Sequence, residues 1–220
     1  MPVTDYEVIV INDGGAGLDA RRARTMWKEV GGKAAFQYHR ISNKGLSAAV
    51  NRGLQSARGE YYTVLPDDDE MEPKKLSVMC NFLDQRAAVS VAYCLPQYID
   101  HQSEPIKSPA KFLAFQKKHP VLRWDHIVNG HGLVVHATAT MYRREAVADV
   151  GGWDEKLPTA EEFEYHLRLL HGGHDFHAVP SVLTRYRLHQ SNKSTDWRKK
   201  RKPYMPYIYG KFFPDKKAPH

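Results

Sequence analysis

A chain of 220 residues with 42% hydrophobic and 26% charged side chains can bury one well-formed core, which excludes a disordered or fibrous protein. No apolar run approaches the roughly 20 residues of a membrane helix, and Met1–Asp5 lacks the basic-then-apolar pattern of a signal peptide, so a cytoplasmic protein, at most peripheral to a membrane, is expected. The net charge of +7 and the pI of 9.3 point to an anionic partner such as a nucleotide, a nucleic acid or an acidic membrane, and part of that excess is the single run Arg198–Lys202, RKKRK.

Tyr6–Ile11 (YEVIVI) is largely β-branched and reads as a strand. It runs into Asn12-Asp13-Gly14-Gly15, a strong turn signal. Leu18–Val30 is expected to be a helix stopped by Gly31-Gly32, and Ala35–Arg40 a second strand. After the loop Asn43-Lys44-Gly45, a helix is expected over Leu46–Ala57, with Leu46, Ala49, Val50, Leu54 and Ala57 on one side. Tyr61–Leu65 reads as a buried strand ended by Pro66, which has no N–H for a ladder. Pro73 opens a helix over Lys74–Arg86. Strands and helices alternate with short connections, so the fold class is α/β, a mostly parallel sheet flanked by helices.

The second half is less regular. Strands are expected over Ala88–Leu95, Leu133–Tyr142 and Asp175–Leu183, and helices over Ala110–Lys118, Arg143–Val150 and Thr159–Leu170. Asp100–Pro109 reads as a polar loop, and Val121–Gly132 resists assignment. From Ser191 onward the chain is polar, then basic, then aromatic. One domain is therefore expected over residues 1–195, followed by a solvated basic and aromatic tail over 196–220. Cys80 and Cys94 fall in apolar surroundings and read as free buried thiols of a reducing compartment.

The chemistry centres on Asp67, Asp68 and Asp69, which stand at the carboxyl end of an expected strand, where open α/β sheets bind ligands. Adjacent carboxylates repel, so such a triplet is either solvated or neutralised by a cation. His126, His131 and His136 have no recognisable ligand spacing, so no zinc site is expected.

Four segments line up in order: VIVINDGG (Val8–Gly15), NKGLSAAVNRGLQSARGEYYTVLPDDDEMEP (Asn43–Pro73), VGGWDEKLPTAEEFEYHLRL (Val150–Leu169) and TRYRLHQSNKS (Thr184–Ser194). Together they resemble the family 2 glycosyltransferases of the GT-A fold. The resemblance implies inverting transfer of a sugar from a nucleoside-diphosphate sugar to an acceptor hydroxyl, with Mn2+ or Mg2+. It implies that Asp13 contacts the nucleotide base, with Asn12 and Lys44 beside it as further nucleotide contacts. Asp68 and Asp69 match the paired acids of the aspartate motif, which hold the ribose and the metal, Asp69 being the better metal ligand. His189 matches a histidine near the pyrophosphate or metal, and Glu162 the acid proposed as catalytic base, with Glu161 as its substitute. The acceptor, whether glycan, lipid-linked or nucleic acid, carries no motif.

The chain departs from the family pattern at Pro66, which stands where another aspartate is common, at Val50, where arginine is common, and at Glu162, in place of aspartate. The family also has a strand and helix ahead of the counterpart of Tyr6–Ile11, so the chain resembles an N-terminally abbreviated member. In a doubly wound half the first strand lies between the second and the fourth. Tyr6–Ile11 is therefore expected to pair directly with Tyr61–Leu65 and close that gap.

Several readings stay open. Thr159–Glu162 (TAEE) also fits a capping box, which would make Glu162 structural. Asp13 also fits a residue that shapes its own turn. Trp153 suits an acceptor contact or, more simply, the core. The basic run with Tyr204, Tyr207 and Tyr209 also suits a nucleic-acid-binding protein on a decayed transferase scaffold, a transferase acting on modified DNA bases, or a tail resting on an anionic membrane.

Overall fold

The computed structural model describes residues 5–107, 118–129, 135–189 and 197–214. The helix expected over Ala110–Lys118 lies almost wholly outside these residues, as do His131 and the start of the strand expected at Leu133. Strand β1 (Glu7–Asp13) pairs in parallel with β2 (Ala35–Ile41), with Val8 opposite Phe36 and Ile11 opposite His39. Helix α1 (Ala20–Glu29) connects them and starts where the Asp19 carboxylate accepts the Arg22 amide at 2.7 Å. Helix α2 (Leu46–Ser56) then returns across β1, burying Ala48 and Val50.

A second sheet carries the remaining strands in the order β3 (Tyr61–Tyr62), β7 (Thr140–Arg143), β5 (Val91–Ile99), β8 (Phe176–Arg187) and β4 (Glu70–Met71), with β6 (Val121–Leu122) also on β8. Only β5 and β8 run parallel; β3–β7, β5–β7, β4–β8 and β6–β8 are antiparallel. The α/β class holds, but the sheet is mixed rather than mostly parallel, because β7 inserts antiparallel between β3 and β5. The register of β5 on β8 shifts around Leu95 and Pro96, an irregularity expected where a proline cannot donate to a central ladder.

Alternation along β5 divides the core. Val91 and Tyr93 face one apolar cluster, with Tyr142 of β7 and Phe176 of β8, Ala146 and Val147 of α5 (Arg144–Val150), and Tyr165, Leu169 and Leu170 of α6 (Glu161–His171). Ala92 and Cys94 face the other, covered by Met79, Cys80 and Leu83 of α3 (Lys75–Asp84). Both cysteines are buried and free. Helix α4 (Trp124–Val128) contacts α6.

β1 does not pair with Tyr61–Leu65. Among the described residues β1 pairs as a strand only with β2, whereas Tyr61 and Tyr62 pair with Arg143 and Tyr142 of β7. The link between the two regions is a side chain: Glu7 Oε1 accepts the amides of Arg58 at 2.6 Å and Gly59 at 3.1 Å. A carboxylate thus receives two amides just ahead of β3, outside the segment Tyr61–Leu65 that was expected to pair with β1. The halves are joined elsewhere by Arg144, which donates to the carbonyls of Gly59 and Ala57 at 2.9 Å each. Asn51 of α2 exchanges two hydrogen bonds with the Trp153 backbone, at 2.9 and 2.7 Å.

The segment expected to be a solvated tail is helical. Helix α7 (Trp197–Arg201) leads through a 3-10 turn (Lys202–Tyr204) into α8 (Met205–Phe212). Met205 and Ile208 pack with Leu157 and Leu167 in a third apolar cluster. Lys211 bridges Asp154 at 2.6 Å and the buried Glu164 at 2.8 Å. No helix among the described residues is long and apolar enough to cross a membrane. Replacing Ile208, which is fully buried, by alanine is expected to cost about 2–4 kcal/mol in urea unfolding, as for other buried Ile→Ala changes; a tail resting in solvent would register nothing.

Candidate active site

The acid turn sits where β4 meets the end of β8. Glu70 and Met71 pair with Arg185 and Thr184, and this short ladder turns Asp69 inward while Asp67 stays exposed. Asp69 is 8% exposed. Its Oδ1 accepts the Arg187 amide at 2.9 Å, and its Oδ2 is buried without a partner. Burial pushes the Asp69 carboxyl up to about 6 and Asp68 adds to the rise, while the Arg187 amide, the Thr138 hydroxyl and Lys75 oppose it. Asp68 Oδ2 lies 3.1 Å from His189 Nε2.

Arg187 holds the turn in place. Its guanidinium donates to the carbonyl of Asp68 at 2.8 Å, the carbonyl of Asp100 at 2.5 Å, Glu70 Oε1 at 2.6 Å and Ser103 Oγ at 2.9 Å. Beneath the turn lies Lys75, fully buried at the start of α3. Its ammonium donates to Thr63 Oγ1 at 3.1 Å and to the Thr138 carbonyl. Burial lowers its pKa to about 8, with the nearby Cys94 and Asp69 pulling the other way.

Glu162 faces this turn from α6. Burial raises its carboxyl to about 8; the Ala137 amide opposes the rise, and Glu161 and Asp69 add to it. The capping box is not formed. The N-cap of α6 is Ala160, in the left-handed region at φ 62°, with no side-chain cap hydrogen bond, so Glu162 is the second helical residue and Thr159 lies outside the helix. Glu161, the other acid considered, is 5% exposed. Around Glu162 stand the tyrosines Tyr98 and Tyr142, both of which feel its charge. Tyr98 bonds His136 at 3.0 Å, and the His136 ring stacks on Tyr186 at 4.4 Å. Tyr142 bonds His166 at 2.7 Å. Burial lowers His136 to about 4 and His166 to about 3, so both are neutral at pH 7.

The structure thus brings Asp68, Asp69, His189 and Glu162 to one place. The other residues singled out by sequence form a second group. Both oxygens of Asp13 are engaged at 2.8 Å, one by the Lys44 amide and one by the Gly45 amide, so Asp13 fastens the loop entering α2. The Asn12 amide donates to the carbonyls of Gly15 and Leu18 and to the Tyr38 hydroxyl. Lys44 is exposed and lines a cavity of about 350 Å³ with Ile41, Ala48, Asn51, Arg52 and Glu155. Trp153 is core, stacked on Tyr165 at 5.3 Å. Sequence reasoning missed Arg187 and Lys75. The only signal for Arg187 was its place two residues before His189, and Lys75 sat unmarked in a helix start.

No three His, Cys, Asp or Glu side chains among the described residues converge into a metal cage. The fit to a cation rests instead on the buried Asp69 Oδ2, which makes no well-formed hydrogen bond and has only the Thr138 hydroxyl close enough to lower its pKa.

The family model for glycosyl transferase family 2 matches residues 2–151. An uncharacterized glycosyltransferase of Rickettsia felis is 25% identical over 86% of this chain and 30% of its own length. Another, MJ1057 of Methanocaldococcus jannaschii, is 23% identical over 80% of this chain and 58% of its own. Among solved structures, S. aureus TarS 1-349 in complex with UDP-GlcNAc superposes with a TM-score of 0.68 at 15% identity, over 99% of this chain and 61% of that one. The mannosyltransferase PcManGT of Pyrobaculum calidifontis, in complex with GDP-Man and Mn2+, gives 0.67 at 19% identity, over 99% and 59%. The chain therefore shares its fold with these enzymes and spans less than two thirds of their length.

The raised Glu162 carboxyl carries a pH signature. The unfolded chain loses this proton near 4.5 and the folded protein near 8. As pH rises between those values the unfolded state binds fewer protons than the folded one, so this group's contribution to stability falls through the window and is flat above it. The buried neutral His136 and His166 act in the opposite sense below about pH 6.5, so melting temperature is expected to fall between about pH 6.5 and 8, with a shallower slope in Glu162→Gln; an unchanged slope would mean that Glu162 is solvated.

Proposed function

The chain belongs to glycosyl transferase family 2, and from that membership we propose that it moves a sugar from a nucleoside-diphosphate sugar to an acceptor hydroxyl with inversion at the anomeric carbon. The observation that carries this reading is the unpartnered Asp69 Oδ2 in a buried turn that Glu162 faces. The reading is supported by two neighbours of the same fold, whose structures hold UDP-GlcNAc in one case and GDP-Man with Mn2+ in the other.

Asp69 and Asp68, with His189 behind Asp68, would hold a manganese or magnesium ion. Such an ion, when bound, supplies neutralising charge for a leaving diphosphate. The chain's own residues do the rest. Arg187 fixes the acid turn so that Asp69 presents one free oxygen. Asp13 fastens the Lys44–Gly45 loop, where the nucleotide is received. Glu162 takes the proton of the acceptor hydroxyl as the new oxygen–anomeric carbon bond forms. The bond from the anomeric carbon to the diphosphate breaks, and its electron pair leaves with the nucleotide. A carboxyl with its pKa near the working pH suits this task, because it is a stronger base than a solvated glutamate and is still partly ionised. Glu162 is longer by one methylene than the family's aspartate, and from the first turn of α6 it is close enough to feel the Asp69 charge. The buried free thiols Cys80 and Cys94 fit a reducing, cytoplasmic setting.

Titration calorimetry with UDP and GDP is expected to give manganese-dependent binding that is abolished by EDTA and by Asp69→Asn. Glu162→Gln is expected to keep donor affinity and lose about 10²–10⁴-fold in transfer, as removal of a general base does. Equal nucleotide affinity with and without metal would overturn the role of the acid turn, and full transfer by Glu162→Gln would overturn that of the base.

A further inference from the structure

The acid turn carries its own counter-charge. Glu70 is paired with Arg185 at 2.8 Å and with Arg187 at 2.6 Å. The cation nearest in character to a partner for Asp69 is Lys75, and it is held one residue away. Lys75 is fully buried, yet its ammonium donates to two neutral groups, Thr63 Oγ1 at 3.1 Å and the Thr138 carbonyl, and not to a carboxylate. An ammonium has three donors, so one is left over among the described residues. The same Thr138 carbonyl accepts the Thr184 hydroxyl at 3.0 Å, and the Thr138 hydroxyl acts on Asp69. Thr138 thus stands between a buried ammonium and a buried carboxylate, each with hydrogen-bonding capacity to spare and each feeling the other's charge.

A charge kept at such a place needs a reason. An ammonium taken out of water without a carboxylate partner is costly, and an apolar side chain of similar volume would fill the space without that cost. The balance of charge supplies the reason. With Asp67 left to solvent, the carboxylates of Asp68, Asp69 and Glu70 are matched by the cations Lys75, Arg185 and Arg187. The turn is therefore neutralised before any ion arrives. A divalent cation at Asp69 Oδ2 would leave a surplus of positive charge beside Lys75, and an anionic diphosphate would remove it.

We propose that Lys75 is a positioning residue for the metal: its buried ammonium keeps the acid turn weak toward a divalent cation alone and makes it accept the cation together with an anionic diphosphate. This rests on the transferase reading above. The sign of the effect follows from charge. A proton and a divalent cation compete for the same carboxylate, and at equal distance the ammonium repels the cation about twice as strongly as the proton. Removing the ammonium therefore strengthens metal binding by more than it strengthens protonation, and the net change is toward tighter metal.

Manganese alone is the probe, with the full chain at pH 7 and binding read by calorimetry. Lys75→Met is expected to bind Mn2+ at least about tenfold more tightly than wild type, because one charge at such range moves a carboxylate's binding equilibrium by about that factor or more. Lys75→Arg keeps the charge and is expected to stay near wild type. Affinity for UDP at saturating manganese is expected to change by less than about threefold, since the gain on the metal offsets the loss on the diphosphate. A merely structural Lys75 gives the opposite sign, because loss of its hydrogen bonds loosens the turn and weakens Mn2+. Unchanged or weaker Mn2+ binding by folded Lys75→Met, an absence of binding in both proteins, or an equal gain in Lys75→Arg would each overturn the proposal. Lys75→Gln, which keeps a donor for the Thr138 carbonyl, is the second neutral variant; if neither neutral variant folds, Lys75 is a structural strut and the proposal falls. UDP binding on the same samples separates the two readings. If wild type binds UDP with manganese and Asp69→Asn does not, while Lys75→Met leaves Mn2+ affinity unchanged, only the role of Lys75 falls. If wild type binds no UDP with manganese, the transferase reading falls and takes this one with it.

Discussion

The acid turn depends on one guanidinium. Three carboxylates in a row do not form a defined structure by themselves, because each repels the next and prefers water. Arg187 overcomes this from the last position of β8. Its side chain gathers the carbonyls of Asp68 and Asp100, the Glu70 carboxylate and the Ser103 hydroxyl, and its amide takes Asp69 Oδ1. Three segments distant in sequence thereby share one cation. A planar fork with five donors can satisfy such a set in fixed geometry, which a lysine ammonium cannot. The result is a turn in which Asp67 is left to solvent, Asp68 leans on His189, and Asp69 is buried with one oxygen bound and one free.

Much of the fold was legible because it follows from local rules. The β-branched run of Tyr6–Ile11 became β1, Ala35–Arg40 became β2, and the apolar stripe of Leu46–Ala57 became α2. The central strand was legible only in part. Tyr61 and Tyr62 pair, but Thr63–Pro66 leave the ladder, and Thr63 spends its hydroxyl on the Thr140 carbonyl instead. The two-residue β4 falls below what any periodicity can detect. β8 runs on to Arg187, four residues past its expected end, because Thr184–Arg187 read as polar although they pair with β5 and β4. The docked α8 did have a signal: Met205, Ile208 and Phe212 fall on one helical face, but the basic run before them drew attention to charge.

Within the site, sequence singled out acids and a histidine that stand together and missed the cations that hold them. Asp68, Asp69, His189 and Glu162 stand together. Arg187 and Lys75 carry no motif, and an isolated cation is nearly always solvated. Both are held because buried acceptors converge on them, and that convergence is long-range: Lys75 meets Thr138, and Arg187 meets Asp68 and Asp100. The capping-box signature at Thr159–Glu162 failed for a local reason. Ala160 takes a left-handed conformation, which moves the helix start by one residue and frees Glu162 from the role a box would give it. Asp13 went the other way, for its carboxylate is occupied by two amides as a turn-shaping residue would be.

These placements leave a site whose charge is undecided near neutral pH. Burial lifts Asp69 to about 6 and Glu162 to about 8, and lowers Lys75 to about 8. All three shifts have the same first cause, the loss of water around an ionisable group, and each group is in range of at least one of the others. A structural core would not keep three such groups together, because apolar residues of similar volume would be at least as stable. Their retention is understandable if the site is completed by charge from outside. An incoming cation at Asp69 Oδ2 would favour the ionised forms of both acids, so that filling the site and ionising Glu162 are coupled. The same coupling explains why the acid turn must be rigid. If Arg187 released it, Asp69 would reach water, its carboxyl would return to the ordinary range, and the link between filling the site and ionising Glu162 would be lost.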